Sequence, residues 1–324
     1  MALYLSRRDV EGLLDLDAAM DVTVQAFREQ AAGAITAVAP RHLSGGGREL
    51  RIVMGGLLES RRFGLRAGPA VGFPEGASNG ATAAMLWDAD TGRLLSIMAY
   101  TFGTLRTGAS IGVATRLFAR TGAHEVAMLG TGRNALSLLR AVCHVRPIER
   151  LRVYSRDPER RAAFAQRAQD SLGLRVEAAT STEAATRGAD VVCVATNSLT
   201  PVVTAEQLSP GTFLASMGRP SEIDPSIYLD AGRIVVSSKQ HEREYLDLKN
   251  YPHQLLILAQ AGRIDWDAGV HEICDVITGK VAARASDDET VVYKESAGGF
   301  GDVAFCDYVY RRALARGLGQ ELEL

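Results

Sequence analysis

A short apolar run that leads into a glycine-containing turn constrains this chain more than any other feature of its sequence. Residues 126–142 read VAMLGTGRNALSLLRAV, in which the pattern G-x-G-x-x-A is followed by apolar residues at helical spacing. In such a turn Gly130 permits the tight bend, Gly132 lets a pyrophosphate approach the backbone, and Ala135 allows close packing of helix on strand. The N–H groups at the helix N-terminus then bind the phosphates. A plain structural turn is the alternative, but the strand before the pattern and the helix after it predict a dinucleotide-binding loop of Gly130, Thr131, Gly132, Arg133, Asn134 and Ala135.

The end of the next strand indicates which dinucleotide would bind. NAD-binding domains carry Asp or Glu there to accept hydrogen bonds from the ribose hydroxyls, whereas an Arg accommodates the 2′-phosphate of NADP. This chain reads VYSRDP, with Ser155 and Arg156 at the expected position. Arg156 can pair with a 2′-phosphate and stack on adenine. We therefore expect Ser155 and Arg156 to bind the cofactor and NADP(H) to be favoured over NAD(H), with Asp157 as the acid if the register is shifted by two residues.

The order of the predicted elements indicates an α/β fold. From residue 125 onward, apolar strands such as EVAMLG, RLRVYS, ADVVCVAT and GTFLASMG alternate with helical segments, which is typical of a Rossmann-type, doubly wound parallel sheet. Residues 37–99 are instead short apolar pieces divided by turn residues, including the hairpin signal DADTG, and predict a largely antiparallel sheet. Helices are predicted over 9–30 and 105–120. A last helix, FGDVAFCDYVYRRALARGL, is expected to pack back on the first domain.

Composition and charge exclude several classes of function. The 324 residues are 47% hydrophobic and carry a formal charge of −2, which gives no electrostatic basis for binding nucleic acid or an anionic membrane. No apolar stretch approaches the roughly 18 residues of a membrane span, and the N-terminus does not read as a signal peptide. The four cysteines form no C-x-x-C pair, and they show no metal-ligand spacing with the six histidines. We expect a cytoplasmic protein with reduced thiols and no metal.

Four motifs taken together resemble those of the ornithine cyclodeaminase/μ-crystallin superfamily. They are LRTGAS followed by RLFAR, the MLGTGRNALSLLRA loop, VYSRDPERRAAFA, and YKESAGGFGDVA, and they cover almost the whole chain in the family's order. The resemblance implies a Rossmann domain over 121–302 and a discontinuous α+β domain for substrate binding and dimerisation, made of residues 1–120 and the C-terminal helix 303–324. It also implies a homodimer. The family's activities include ornithine cyclodeamination, alanine dehydrogenation and imino acid reduction.

The resemblance also implies roles for individual residues. Arg41 and Arg106 would bind the α-carboxylate of the substrate, and Arg106 and Thr107 would lie near the nicotinamide side of the cofactor. Thr82 would lie beside the nicotinamide amide. The other cofactor residues implied in this way are Thr196, Asn197, Met217 and Gly218.

The chain departs from the family pattern at two places that bear on its chemistry. The family's G-x-K is GLRAG here, so Arg66 replaces the lysine, and no lysine precedes Lys239. The G-A-D-x-P-G-K stretch, which supplies the catalytic aspartate of cyclodeaminases, is shortened to MGRPSEIDP. Arginine binds anions and polarises electrophiles, but it is a poor general acid because it does not give up its proton. We therefore predict that Arg66 binds the substrate and stabilises the reacting electrophile.

Three residues are candidates for the proton source. His42 lies next to Arg41 and is of the residue type that commonly exchanges protons near neutral pH, Glu222 is the nearest acid in the shortened segment, and Asp302 lies in GGFGD. An exposed or structural histidine is the alternative for His42. The N-cap of the last helix is the alternative for Asp302.

These observations predict an NAD(P)H-dependent oxidoreductase that reduces the C=N bond of a small imino acid or oxidises the matching amino acid. Such a reaction needs orientation, a stabilising cation and one proton source, whereas cyclodeamination needs proton transfer at each stage. Three arginines, Arg41, Arg66 and Arg106, would favour a strongly anionic substrate, and we hypothesise one with two carboxylates. Two alternatives stay open: a cyclodeaminase-type lyase with a rearranged proton relay, and a non-catalytic protein that binds NADPH and a carboxylate ligand.

Overall fold

The chain divides into two units, each with its own β-sheet. The computed structural model describes residues 1–71, 82–244, 252–296 and 298–323. Unit 1 joins Met1–Arg106 to Ala297–Leu324, and unit 2 is Thr107–Ser296.

The elements are numbered in chain order. The described helices are α1 (Arg7–Val10), α2 (Leu16–Ala31), α3 (Gly103–Phe118), α4 (Ala135–Val145), α5 (Pro158–Leu172), α6 (Thr182–Thr186), α7 (Pro225–Asp230), α8 (Lys239–Glu244), α9 (Gln254–Gln260), α10 (Ile273–Ile277) and α11 (Gly299–Arg316). The described strands are β1 (Ala2–Leu5), β2 (Ile35–Ala37), β3 (Arg41–Gly45), β4 (Arg48–Leu57), β5 (Arg62–Val71), β6 (Ala83–Asp88), β7 (Leu94–Ala99), β8 (Glu125–Leu129), β9 (Arg150–Tyr154), β10 (Val176–Ala178), β11 (Val191–Val194), β12 (Phe213–Ser216), β13 (Arg233–Val236), β14 (Val270–Glu272), β15 (Val291–Lys294) and β16 (Gln320–Leu322).

Unit 2 is built on a parallel sheet whose described strands follow the order β10-β9-β8-β11-β12-β15-β13-β14. The strands β11 and β12 are buried along their whole length, as expected for a sheet covered on both faces. The chain reverses its direction of winding between β8 and β11, and the crevice at this switch point is where doubly wound sheets bind ligands. The predicted Rossmann-type α/β fold class is confirmed.

Two strands of this sheet were not predicted. β15 lies between β12 and β13 and is buried at all four positions, and β14 pairs with β13 at the end of the sheet. Runs of three or four residues are too short for periodicity to separate a strand from a loop.

Unit 1 is built on a mainly antiparallel sheet, with described strands in the order β16-β1-β7-β6-β5-β4-β2 and with β3 paired to β4. The first turn of α11 lies directly on β4 because glycines meet there. A Cβ on Gly55 would lie 2.4 Å from the backbone nitrogen of Phe300, and one on Gly299 would lie 1.8 Å from the carbonyl oxygen of Met54. This contact brings the start of the C-terminal helix over the middle of the sheet.

Several local predictions can be compared with the structure. The hairpin predicted at DADTG is confirmed by the antiparallel pair β6 and β7. The single helix predicted over 9–30 is wrong, because the chain forms α1 and α2 instead. Gly12 interrupts it with φ 83°, and Asp15 caps α2 by accepting a hydrogen bond from the Ala18 N–H at 2.8 Å.

Along the chain, the boundary between the two units falls inside α3, between Arg106 and Thr107. The sequence analysis placed this boundary at residue 120. Most of this helix belongs to unit 2, where Gly108 comes so close to Ser137 that a Cβ would lie 2.4 Å from its Oγ. Within the described part of the chain, no helix combines the length and hydropathy needed to cross a membrane.

Candidate active site

The glycine turn after β8 has a geometry that its first position permits only to glycine. Gly130 has φ 105°, a conformation that residues with a side chain rarely adopt. A Cβ there would lie 2.3 Å from the carbonyl oxygen of Ala195, which follows β11. The Gly130 N–H donates to the carbonyl oxygen of Tyr154, at the end of β9, at 2.8 Å. The turn is thus fixed between the carboxyl ends of β9 and β11, the two strands that flank β8 in the sheet.

The next positions of the turn leave room for a phosphate. A Cβ on Gly132 would meet no described atom within 4 Å, and Gly132 and Arg133 are exposed. Helix α4 begins after Asn134, whose side chain makes no capping hydrogen bond, while Ala135 is fully buried against the sheet. N–H groups in an uncapped first turn are the donors that a pyrophosphate uses. The residues present therefore fit a dinucleotide.

The end of β9 carries an exposed arginine, and the nearest carboxylate, that of Asp157, takes part in a helix cap. Asp157 is the N-cap of α5, since its Oδ1 accepts hydrogen bonds from the N–H groups of Glu159 and Arg160, both at 3.0 Å. The alternative in which Asp157 binds the ribose therefore competes with a structural role. Ser155 is half-buried and Arg156 is exposed, which leaves these two side chains at the strand end.

Glu222 is fully buried and is saturated with hydrogen bonds. Its Oε2 accepts from the Thr196 N–H and Oγ, and its Oε1 accepts from the Ser216 Oγ and the Gly218 N–H, all at 2.8 Å. No oxygen is left to exchange a proton with a substrate. The expectation that Glu222 is a catalytic acid is therefore wrong, and the carboxylate instead joins the turns that follow β11 and β12.

The same turns contact two further side chains. The Asn134 Nδ2 lies 3.7 Å from the Met217 sulfur, so the structure brings these two predicted cofactor residues together. Lys294, which is 3% exposed, donates from Nζ to the carbonyl oxygen of Gly218 at 2.8 Å. Sequence reasoning missed Lys294, although a lysine at the end of a wholly apolar strand is a recognisable signal. Asn197, which follows Thr196, is exposed.

In unit 1, two arginines share one buried aspartate. The Asp302 carboxylate, which is 5% exposed, accepts a hydrogen bond from Arg66 Nε at 2.9 Å and lies 3.0 Å from Arg106 Nε. Tyr100 donates its hydroxyl hydrogen bond to the same carboxylate, and the Arg66 guanidinium lies 4.9 Å from the centre of the Tyr100 ring. We call these four residues the Asp302 cluster. The side chains of Arg66 and Arg106 are 19% and 16% exposed, so neither is completely buried.

Electrostatics keep this cluster charged. Burial alone would raise the pKa of Asp302, but Arg106 and Arg66 outweigh it and hold that pKa below its ordinary value of 3.8. Burial, reinforced by Asp302, raises the pKa of the Tyr100 hydroxyl well above its usual range. Burial lowers the pKa of Arg66, but Asp302 outweighs it and the pKa is raised. Near neutral pH the cluster therefore holds two cations, one anion and a neutral phenol.

Both expectations for Asp302 need correction. The last helix is capped by Gly298, and Asp302 lies inside its first turns, so it is not the N-cap. A carboxyl group with a lowered pKa stays ionised at neutral pH, so it is not a proton donor either. In the structure its carboxylate contacts Arg66, Arg106 and Tyr100.

The other residues predicted in unit 1 lie elsewhere on the sheet. Arg41 and His42 are on β3, which is exposed throughout, and the His42 Nδ1 lies 2.6 Å from the Glu49 Oε1. Arg41 pairs with Ile52 of β4, and the next residue of β4, Val53, pairs with Arg66 of β5. Adjacent residues of a strand point to opposite faces of a pleated sheet, so Arg41 and Arg66 lie on opposite faces. The described contacts do not bring Arg41 or His42 to Asp302, and their roles stay predictions.

Thr82 stands opposite Gly68 on β5. A Cβ on Gly68 would lie 2.4 Å from the Thr82 Oγ, and this row is two residues along β5 from Arg66. Residues two apart on a strand share a face, so Thr82 and Arg66 lie on the same side of the sheet.

Among the described residues, one group places potential metal ligands together. The ligand atoms of Glu272, Cys274 and Asp275 lie within 4.8 Å of one another. Glu272 accepts a hydrogen bond from the Lys239 N–H at 2.6 Å, and Asp275 lies 3.5 Å from Lys280 Nζ. Partners within the chain thus account for both carboxylates.

The parallel sheet, the glycine turn and the Asp302 cluster define a protein with a Rossmann-type dinucleotide-binding unit and a second unit that contains a buried arginine–aspartate cluster. Comparison with known proteins gives the family. The model of the ornithine cyclodeaminase/mu-crystallin family matches residues 2–317, and the chain belongs to this family.

The relatives include proteins named as Delta(1)-pyrroline-2-carboxylate reductases and as an alanine dehydrogenase. A Delta(1)-pyrroline-2-carboxylate reductase of Bacillus cereus is 33% identical over 245 residues, which are 74% of this chain and 73% of the relative. The solved structure of the Thermococcus litoralis enzyme of the same name, in complex with NADH and L-proline, is 27% identical with a TM-score of 0.86 over 99% of this chain and 100% of that chain. An archaeal alanine dehydrogenase dimer with bound NAD is also 27% identical, with a TM-score of 0.84 over 100% and 99% of the two chains.

Proposed function

We propose that this protein is an NAD(P)H-dependent reductase of the C=N bond of a small imino acid, working in reverse as an amino acid dehydrogenase. The observation that carries the proposal is the Asp302 cluster, in which a fixed guanidinium replaces the amine that the family pattern places at position 66. The relatives named as Delta(1)-pyrroline-2-carboxylate reductases support the same reaction class.

In unit 2 the Gly130 turn would hold the pyrophosphate of the dinucleotide. Backbone N–H groups from Thr131 to Asn134 supply the donors, and the open space at Gly132 admits the phosphate oxygens. When bound, the nicotinamide supplies the hydride. Thr107, Thr196, Asn197, Met217 and Gly218 are the further residues that we assign to the cofactor.

In unit 1 Arg66 and Arg106 would bind the carboxylate of the substrate. Asp302 offsets one of their two charges, so the three groups together carry one excess positive charge. Because Asp302 takes the Nε side of Arg66, the terminal nitrogens of its planar fork point to a ligand, which suits a carboxylate. One excess charge supports a monocarboxylic substrate better than the dicarboxylic one suggested by counting arginines. Arg66 would also polarise the C=N bond, but it would not donate the proton.

We further propose that NADP(H) is preferred to NAD(H). Ser155 and Arg156 occupy the strand end where a carboxylate would select the ribose hydroxyls, and Asp157 is engaged as a helix cap. The exposed Arg156 can pair with a 2′-phosphate.

We also propose a homodimer formed through unit 1. Leu43 and Leu50 are 65% and 37% exposed and directly paired across β3 and β4, and Phe63 on β5 is 42% exposed. Exposed apolar side chains on a sheet mark an interaction surface. Analytical ultracentrifugation of the wild type and of Leu43→Glu tests this, with a monomeric wild type as the contrary result.

The function is tested by following oxidation of NADPH and NADH with five-membered and six-membered cyclic 2-imino carboxylates, and with a dicarboxylic imino acid. We expect turnover of the cyclic monocarboxylates. Arg66→Met should abolish most of it, whereas Arg312→Met, which removes an exposed arginine on α11, should not.

Two other results would replace this function by another. Release of ammonia from ornithine without net change in the cofactor would indicate a cyclodeaminase. Tight binding of NADPH without turnover of any imino acid would indicate a binding protein.

A further inference from the structure

Gly218, in the turn that follows β12 in unit 2, is held from both sides by buried charged groups. Its N–H donates to the Glu222 carboxylate at 2.8 Å, and its carbonyl oxygen accepts from the Lys294 ammonium at 2.8 Å. Glu222 and Lys294 are 0% and 3% exposed. Burying a charged side chain is costly unless its hydrogen bonds are satisfied, so this arrangement fixes the backbone at Gly218 strongly.

The glycine itself is required by this arrangement. A Cβ at position 218 would lie 2.1 Å from Glu222 Oε2 and 2.4 Å from the carbonyl oxygen of Thr196. Glu222 can therefore reach the Thr196 turn and the Gly218 turn with one carboxylate only because Gly218 has no side chain. Through these hydrogen bonds Glu222 joins the turns that follow β11 and β12.

The two turns joined by Glu222 lie at the carboxyl edge of the half of the sheet that contains β11 and β12. In a doubly wound sheet the two halves of a dinucleotide lie on either side of the switch point. The end of β9, with Arg156, belongs to the half that binds the adenosine side. The turns at Thr196 and Gly218 follow β11 and β12 and belong to the other half.

Building on the proposed function, we propose that Glu222 and Lys294 are positioning residues, which hold the Gly218 turn in the conformation that accepts the nicotinamide half of the dinucleotide. Neither side chain contacts the reacting atoms. Glu222 sets the N–H of Gly218 and the Thr196 backbone, while Lys294 sets the opposite peptide group. Met217, in contact with Asn134, links this turn to the glycine loop.

The test compares two ligands that differ by the nicotinamide. Isothermal titration calorimetry gives the Kd of the reduced dinucleotide and of ADP-ribose, with the 2′-phosphorylated form if the wild type prefers NADPH. In Glu222→Gln an amide donor replaces one acceptor, so we expect the dinucleotide to bind about tenfold or more weakly while ADP-ribose stays within about twofold. Lys294→Met removes the opposite hydrogen bond and should change the ratio of the two constants in the same direction.

A general loss of folding is separated by a matched control. Glu295 is also buried, adjoins Lys294 in sequence, and its carboxylate accepts hydrogen bonds from Ser110 and Tyr293. Glu295→Gln should lower the melting temperature and leave the ratio of the two Kd values unchanged. An unchanged ratio in Glu222→Gln would overturn the positioning role and leave the proposed function standing. A wild type that binds neither dinucleotide would overturn the proposed function, and the positioning role with it.

Discussion

Replacing Asp302 by asparagine tests whether one carboxylate holds both arginines of the cluster. Asp302→Asn keeps the shape of the side chain and removes its charge. Arg66 and Arg106 would then face each other as partly buried cations without their common partner. We expect unit 1 to lose stability and both guanidinium groups to lose their fixed orientation.

The size of the loss can be worked from the contacts. Each Asp302 to arginine pair has an N to O distance of 2.9 or 3.0 Å, which corresponds to roughly 4 kcal/mol of attraction for charge centres about 4 Å apart at an effective dielectric constant of about 20. The mutual repulsion of the arginines and the cost of burying the charges offset part of this. Breaking a buried pair by removing one partner costs about 3–5 kcal/mol, and we expect the loss in Asp302→Asn to lie in this range.

Urea unfolding followed by tryptophan fluorescence measures this loss in unit 1 alone. The chain has two tryptophans, Trp87 in β6 of unit 1 and Trp266 in unit 2, so a Trp266→Phe background leaves one probe in the unit of interest. Asp307→Asn is the control. Asp307 is also buried on α11, but its partner Arg62 keeps Asp88 at 3.4 Å and its partner Arg311 is 65% exposed. The control should lose only about 1–2 kcal/mol.

The pH dependence gives an independent check. Because the pKa of Asp302 is lowered in the folded state, its contribution to stability is complete above the ordinary value of 3.8 and is lost as pH falls through the lowered pKa. The difference between wild type and Asp302→Asn should therefore be constant from neutral pH to about pH 5 and shrink only in stronger acid. A loss below about 1 kcal/mol at neutral pH, or a loss equal to that of the control, would refute the view that Asp302 holds the cluster.

Three further predictions concern unit 2. Gly130→Ala should abolish binding of the dinucleotide, measured by calorimetry, because its Cβ would lie 2.3 Å from the Ala195 carbonyl oxygen; retained binding would contradict the fit. Arg156→Ala should weaken NADPH binding about tenfold and leave NADH binding within about twofold, and equal losses would argue against a 2′-phosphate contact. Burial raises the pKa of the Cys143 thiol to about 11, so the native protein at neutral pH should react with a disulfide reagent far more slowly than the urea-unfolded protein; equal rates would contradict this.

The parallel sheet and the glycine turn could be predicted because each rests on local patterns. Apolar strands alternate with helices at spacings that periodicity detects, and the first glycine of the turn between β8 and α4 has a backbone conformation that favours glycine. Gly130 is an example: glycine is the residue type that readily adopts a positive φ, and Gly130 has a φ of 105°. The prediction of a single helix over 9–30 was wrong because it followed the apolar spacing and gave too little weight to Gly12, whose positive φ lies between α1 and α2.

The side chains that organise the site could not be predicted in the same way. Asp302 meets Arg66 across 236 positions and Tyr100 across 202, and no pattern within a window of the sequence records such pairings. Glu222 was recognised as an acid near the expected place, but its burial and its four donors follow from how two turns meet. A sequence shows which groups are available, whereas the fold decides whether a carboxylate orients cations, closes a turn or transfers a proton.

The arginine at position 66 illustrates this distinction in chemical terms. A lysine beside a buried carboxylate would be a point charge that can give up a proton, whereas the guanidinium of Arg66 engages Asp302 through Nε and has two further nitrogens with which a guanidinium can bind an anion. The replacement therefore exchanges a proton-transferring group for a directional anion-binding one. Cyclodeamination depends on repeated proton transfer, which an arginine in place of the lysine does not provide. Reduction of an imino acid depends mainly on orienting a carboxylate and polarising a C=N bond. Arg66→Lys should therefore keep the Asp302 ion pair and the fold, measured by unfolding, and raise the KM for the imino carboxylate more than it lowers kcat. A variant with unchanged KM would mean that position 66 does not bind the substrate.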